Sequence, residues 1–376
     1  MRNRFNAGAL LQALTPYVTR TARESKALIP MAAALVLMMP AFAVWAGDHE
    51  PPGAQPTQAK LLASGLMGTI GSTIGPDGAL YVAEGALGRI TRIDRASGKA
   101  TTFATGLPAS VPGVGIGGPM DVAFVGTTAY VLVALVDSAV GGHQKDGIYR
   151  VDAKYNSTLI ADIGTFSSNN PPTPTVPFDY FLPDGLQFAL RPIRDGFVVS
   201  DGHLNRILRV SKDGTEITVL KQFNDVVPTG LAISGGTVFV AELGPSPNTP
   251  ATGKVVSFGL YDKDPLAPAH DVAAGVSMIL GTVFGPNGKL YALSQGIAPA
   301  GIQPAQPALP NTGRLLRVNY DGTFTILADK LNRPTSLNFV CNTAYIVTLT
   351  GEVWKVEDVE ELLDHDQWCD ACNHRD

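Results

Sequence analysis

A phrase of the form Gly-x-(apolar)-x-(basic)-(apolar), strict in some copies and loose in others, recurs six times along this chain. The copies lie at 88–93 (GRITRI), 146–151 (DGIYRV), 205–210 (NRILRV), 253–258 (GKVVSF), 313–318 (GRLLRV) and 351–356 (GEVWKV). Their fifth positions are separated by 58, 59, 48, 60 and 38 residues. A strand-rich unit repeated at such intervals cannot bury its apolar surface alone and must stack on its neighbours. In an all-β chain that is the pattern of propeller blades.

Each repeat parses as four antiparallel strands. The innermost follows a Pro in four copies (Pro119, Pro183, Pro228, Pro334), and two more copies lie around Gly71 and Gly281. Tight turns such as Gly75-Pro76-Asp77-Gly78 and Gly285-Pro286-Asn287-Gly288 come next, with Gly or Asn where positive φ is needed. Second strands are apolar with aromatic insertions, for example Leu80-Tyr81-Val82-Ala83 and Val238-Phe239-Val240-Ala241. The repeated phrase is the third strand, and alternating segments such as Thr215-Glu216-Ile217-Thr218-Val219-Leu220 form the outer fourth. Low charge (16%) and abundant turn residues (40 Gly, 28 Pro in 376 residues) suit this reading.

The last repeat lacks an outer strand. Residues 59–66 (AKLLASGL) resemble fourth-strand endings elsewhere, so the N-terminal strand is expected to complete the last blade and close the ring. The expectation is an all-β, six-bladed propeller of four-stranded antiparallel blades spanning 59–357, followed by a short helix and a Cys/His tail over 358–376.

The first 26 residues carry five basic residues against one acid, and 27–46 is uncharged and apolar. Small residues near position 46 fit a cleaved signal peptide over 1–46, and an uncleaved anchor is the competing reading. A polar, Pro-rich linker (47–58) follows. Either way the domain is expected outside the cytoplasm, periplasmic or secreted, with no membrane contact beyond the leader. The net charge of −5, with no basic cluster outside the N-terminus, argues against nucleic acid as a partner. A monomer binding a small molecule or protein ligand is expected.

Propeller topology sorts the connections onto two faces. Length accumulates in 134–146, 166–182, 242–252 and 294–312, all on the face reached by second-to-third-strand and inter-blade connections, which marks that face as the working one. Asp121 and Asp184, near the starts of inner strands, and Glu84, Asp201, His203 and Glu242, at or near the ends of second strands, are its polar candidates for ligand binding. Carboxylates converging there would suit Ca²⁺ or another divalent cation at the channel mouth, with Asp121, Asp184, Glu84 and Glu242 as ligands. Crowded carboxylates would also raise one another's pKa and supply an acid or base. Carboxylates at strand ends also satisfy loop N–H groups, which is the structural alternative. Phe178, Tyr180 and Phe181, on a Pro-rich loop, either wall an apolar pocket or pack down to anchor that loop.

The tail segment His365 to His374 holds Cys369 and Cys372, which would form a local disulfide and leave Cys341 unpaired, or contribute to a zinc site. No nucleophile elbow, phosphate loop or zincin motif occurs, and no catalytic residue is nominated.

The phrases 75–84 (GPDGALYVAE), 119–124 (PMDVAF), 227–232 (VPTGLA) and 239–243 (FVAEL) resemble the ScyD/ScyE propeller family across about 59–356. That resemblance implies an exported six-bladed propeller. More distantly the chain looks like the SMP-30/gluconolactonase group, metal-dependent lactone hydrolases whose channel cation is held by one Glu, two Asn and one Asp. The corresponding inner-strand starts here carry Asp121, Asp184, Thr229 and Thr335, without the Asn pair. The resemblance implies, as an alternative to a binding propeller, a cation-dependent lactonase or esterase.

Overall fold

The computed structural model describes residues 59–173, 182–300 and 306–360. The leader, Phe178, Tyr180, Phe181 and the Cys369/Cys372 tail lie outside these. Among the described residues, no helix is long and apolar enough to cross a membrane.

In the described residues, twenty-four strands form six four-stranded antiparallel sheets. The six inner strands are Thr69–Ile74, Gly118–Val125, Gln187–Ile193, Pro228–Ser234, Ile279–Phe284 and Pro334–Val340. Each of the six repeated phrases contributes a third strand, from Arg89–Ile93 in blade 1 to Val353–Val356 in blade 6. The strand Lys60–Ala63 pairs antiparallel with Val353–Val356 and completes blade 6, as the sequence predicts.

Inner strands can converge because small residues face the axis. A Cβ on Gly230 would lie 2.6 Å from the Gly281 Cα of the next blade, and one on Gly71 would collide with Asp121 Oδ1. Further out, the aromatic insertions of the second strands fill the wedges between blades. Tyr81 meets Phe103 and Phe124 at 4.9 and 4.8 Å, Tyr130 meets Phe197 at 4.8 Å, and Tyr291 meets Phe339 at 4.5 Å. Such pairs contribute about 0.5–1.5 kcal/mol each beyond their burial.

Polar bonds lock the seam between last and first blades. Thr69 Oγ1 donates to the Thr348 carbonyl at 2.6 Å, Ser72 bonds Ser336 at 2.8 Å, and Asn338 Nδ2 donates to Ser72 Oγ at 2.8 Å.

The long connections 135–146 and 243–253 and the described parts of 295–312 leave from second strands on one face, and the described parts of the inter-blade segment 163–186 share it. On the opposite face most turns are tight; 260–269 is a ten-residue exception. One element was not legible beforehand, a helix at Ile163–Asn169 between blades 2 and 3, capped by Asp162 accepting from Thr165 N.

One expectation needs correction: Cys341 is disulfide-bonded rather than unpaired. The short helix expected after Val356 lies mostly outside the described residues; within them, residues 357–360 are not helical, and Glu360 accepts from Lys289, Tyr291 and Arg317.

Candidate functional site

Three of the nominated carboxylates occupy one structurally equivalent position, the last residue of a second strand. Glu84, Asp201 and Glu242 stand opposite the first residues of their inner strands (Thr69, Gln187, Pro228) and the first residues of their third strands (Arg89, Arg206, Lys254). The repeat therefore places an acid beside a base at the rim of blades 1, 3 and 4.

Local context then gives each acid a different fate. Glu84 is fully buried and accepts from Arg89 Nε at 2.7 Å, Arg89 Nη2 at 3.1 Å, Met67 N at 2.8 Å and Thr91 Oγ1. Asp201, also fully buried, accepts from Leu186 N at 3.0 Å and Leu204 N at 3.1 Å, and lies 3.5 Å from Arg206 Nε. Both are braces for loops and strand ends. Glu242 differs: Lys254 turns away to Asp271 at 2.9 Å, and no described group donates to Glu242. Burial pushes its carboxyl up to about 7.

Asp121 lies in the central channel. Its Oδ2 accepts from Leu190 N at 2.9 Å and Arg191 Nη1 at 2.8 Å, and its Oδ1 from Val122 N at 2.9 Å. Burial raises its pKa, and the Arg191 guanidinium opposes that rise. Arg191 Nε also donates to the Leu231 carbonyl at 2.8 Å, so one side chain spans blades 2, 3 and 4 across the axis. The channel cavity, lined by Gly71, Asp121, Arg191, Gly281 and Thr335 among others, measures about 30 Å³. That is room for a water or two, far below a site for a drug-sized molecule.

The divalent-cation set expected from sequence does not fit this arrangement. Glu84 and Asp121 already have guanidinium partners. Among the described residues, no three His, Cys, Asp or Glu side chains lie close enough to hold a metal ion.

His203 sits below the rim with Nε2 accepting from Leu182 N at 2.9 Å, and burial lowers its pKa, keeping the ring neutral. It positions the backbone ahead of blade 3.

Asp184 is the one nominee that meets other carboxyls, and neither partner was foreseen. It lies in the turn before the blade 3 inner strand, half-buried, with Ser168 Oγ of the helix Ile163–Asn169 donating to Oδ1. Its carboxyl faces that of Asp137, which is 5% exposed and comes from the 135–146 connection of blade 2. Asp146 ends the same connection, with Oδ2 and Oδ1 accepting from Leu135 N and Val136 N, both at 3.0 Å. Gly164 packs beside both: a Cβ there would stand 3.2 Å from Asp146 Cβ, a tight contact, and 3.4 Å from Asp184 Oδ2, an ordinary one.

Burial, then the neighbouring Asp184 carboxyl, raises Asp137 to about 8. Burial raises Asp146 to about 7. Burial and the facing Asp184 carboxyl thus favour the protonated form of Asp137. The sequence did carry a signal, since Asp137 and Asp146 bracket one of the four long connections.

Unmet hydrogen-bonding capacity concentrates at the same junction. Six buried side-chain atoms among the described residues lack a hydrogen-bond partner, and five of them are Asp137 Oδ2, Ser167 Oγ, Gln187 Oε1, Arg206 Nε and Arg206 Nη2. A short chain of contacts links their neighbourhoods: Gln187 Nε2 donates to the Asp184 carbonyl at 2.9 Å, and Arg206 Nη1 to the Asn170 carbonyl at 2.7 Å. Arg206 also lies over the Phe166 ring, 5.6 Å from its centroid.

No family model matches the chain, and no curated protein matches it significantly. Solved six-bladed propellers do. A gluconolactonase of Xanthomonas campestris shares 12% identity over 80% of this chain and 89% of its own, with a TM-score of 0.54. The calcium-binding protein regucalcin from Agrobacterium tumefaciens shares 14% over 80% and 94%, with a TM-score of 0.54. The PQQ-bound aldose sugar dehydrogenase of Streptomyces coelicolor shares 15% over 81% and 99%, with a TM-score of 0.53. At these identities the likeness is one of fold, which these proteins carry with different chemistries.

Proposed function

We propose that this is an exported, monomeric binding propeller that takes up a small polar ligand on its long-loop face, at the junction of blades 2 and 3. One observation carries the reading: five of the six unpartnered buried polar atoms among the described residues belong to that junction. Folded proteins satisfy nearly all such atoms, so a local concentration of unmet donors and acceptors points to a polar guest. The apolar leader supports export, and the ScyD/ScyE-like repeat phrases agree with an exported propeller.

The alternative, a cation-dependent lactonase or esterase at the channel mouth, has the fold of its relatives in its favour. Its chemistry finds less support, because Arg191 already occupies Asp121 and the channel is too small for a lactone.

The test is a thermal-shift screen of the full chain against polyols, hydroxy acids, amino acids and amines. A ligand should raise the melting temperature by about 2 °C or more, an effect reduced in Ser167→Ala. That variant loses no hydrogen bond and should fold like the parent. Shifts unchanged in both Ser167→Ala and Asp137→Asn would place binding elsewhere; no shift from any compound would remove the reading.

A further inference from the structure

Three cysteines occur in the chain: Cys341, Cys369 and Cys372. Cys341 is disulfide-bonded, so within one chain its partner is Cys369 or Cys372. A bond between Cys369 and Cys372 themselves is then excluded in this state, and one sulfur of the Cys369-Asp370-Ala371-Cys372 segment is left as a thiol.

The surroundings of Cys341 fit that pairing. Cys341 and Asn342 form the turn between the first two strands of blade 6, Pro334–Val340 and Thr343–Thr348, on the short-turn face. Residues 359 and 360 are fastened to the same turn. Asn342 Nδ2 donates to the Glu360 carbonyl at 2.6 Å, Glu360 N donates to Asn342 Oδ1 at 3.0 Å, and Val359 N donates to the Asn342 carbonyl at 3.3 Å. Residue 361 therefore starts beside Cys341. The nine positions from Glu360 to Cys369, or twelve to Cys372, extend to about 30 Å or more, ample length to return to it. Cys341 also has a φ of 51°, where the equivalent turns of blades 2 and 4 have Gly126 (59°) and Gly235 (56°). A side chain is disfavoured in that left-handed region, and here a cysteine occupies it.

We infer that the C-terminal segment is stapled to the short-turn face of blade 6 through Cys341, and that the remaining cysteine makes this bond a thiol–disulfide exchange site. In the exchange, the remaining thiolate attacks the C-terminal sulfur of the staple. A Cys369–Cys372 bond forms, the bond to Cys341 breaks, and Cys341 leaves as a thiolate that takes a proton from solvent. One S–S bond replaces another, so no oxidant or reductant is consumed. The staple guards ring closure: Val353–Val356 pairs with Lys60–Ala63, Glu357 bonds Lys60 at 2.6 Å, and the chain just beyond is tied back to its own blade.

The test is non-reducing peptide mapping of the full chain, equilibrated in a glutathione redox buffer and blocked with N-ethylmaleimide. Trypsin leaves Cys341 in peptide 331–355 and both other cysteines in 356–375. The two peptides should be linked, with one blocked thiol in 356–375. Glutathione is then removed and the protein held in 4 M urea at pH 8 before blocking. The link should now be lost and the blocked thiol should move to Cys341. Replacing the thiol cysteine that mapping identifies (Cys369→Ser or Cys372→Ser) should slow this loss at least about tenfold, because the attacking sulfur is gone.

Three free thiols, a local Cys369–Cys372 bond at the outset, or a dimer joined at Cys341 would each overturn the staple. A link that survives urea in the parent as long as in the serine variant would overturn the exchange. The mapping of the parent decides the pairing whether or not that variant folds.

Discussion

The central channel and the junction of blades 2 and 3 both bury carboxylates, but they treat them in opposite ways. In the channel, Asp121 has a guanidinium and two backbone N–H groups on its oxygens, and Arg191 is spread across three blades to supply one of them. At the junction, Asp137 and Asp184 face each other, and the arginine nearby is itself under-satisfied. The difference teaches that burial and acidity alone do not identify a working site. What separates the two regions is whether the surroundings answer the carboxyl's charge.

The largest expected effect is in the channel. Arg191→Met should strand Asp121 as an uncompensated buried charge and destabilise the fold by about 3–5 kcal/mol in denaturant unfolding. A loss below about 1 kcal/mol would mean the pair is no brace. At the rim, Glu84→Gln should cost about 2 kcal/mol, because it weakens charged hydrogen bonds to Arg89 inside a fully buried site.

The junction should respond with the opposite sign. An acid whose folded pKa lies above its unfolded value binds its proton more tightly in the folded state. For Asp137 that makes stability fall as pH rises from about 4 to about 8. Asp137→Asn should flatten this slope and be more stable than the parent at pH 8, by on the order of 1 kcal/mol or more. Melting temperatures at pH 5 and pH 8 check it, and a variant less stable than the parent at pH 8 would reverse the contrast.

The smallest effect is expected at Glu242, a lone buried carboxyl pushed up to about 7. Here stability declines as pH rises from about 4.5 to about 7, and Glu242→Gln should remove that decline with a change of no more than about 1 kcal/mol at pH 5. Were Glu242→Gln as damaging as Glu84→Gln, the two rim positions would be equivalent in energy as well as in register.

The contrast also explains what could be read beforehand. Strand identity and ring closure were legible because they repeat: the same phrase at Arg92, Arg150, Arg209 and Arg317 reports the same burial problem solved again and again. The roles of individual acids were not, because they depend on partners distant in sequence. Arg191 reaches Asp121 across 70 positions and Asp184 meets Asp137 across a blade boundary, and nothing in their immediate neighbours distinguishes them. The equivalence of Glu84, Asp201 and Glu242 needed strand register, which fixes facing residues but not which base turns towards them. Helix Ile163–Asn169 escaped notice because seven residues rich in Ser and Thr carry almost no helical periodicity.

The ring is finished by a strand from the opposite end of the polypeptide. Lys60 meets Glu357 across 297 positions, so Lys60–Ala63 must wait without a neighbour until the final segment has been synthesised and arrives beside it. Assembly is thereby held back to the last moment, and an incomplete translation product keeps an open sheet margin that invites self-association. The same arrangement makes the strand a detachable key. A shortened chain lacking residues 59–66 should be restored by a synthetic peptide of that sequence, which offers a way to switch the whole ring on after the rest has been made.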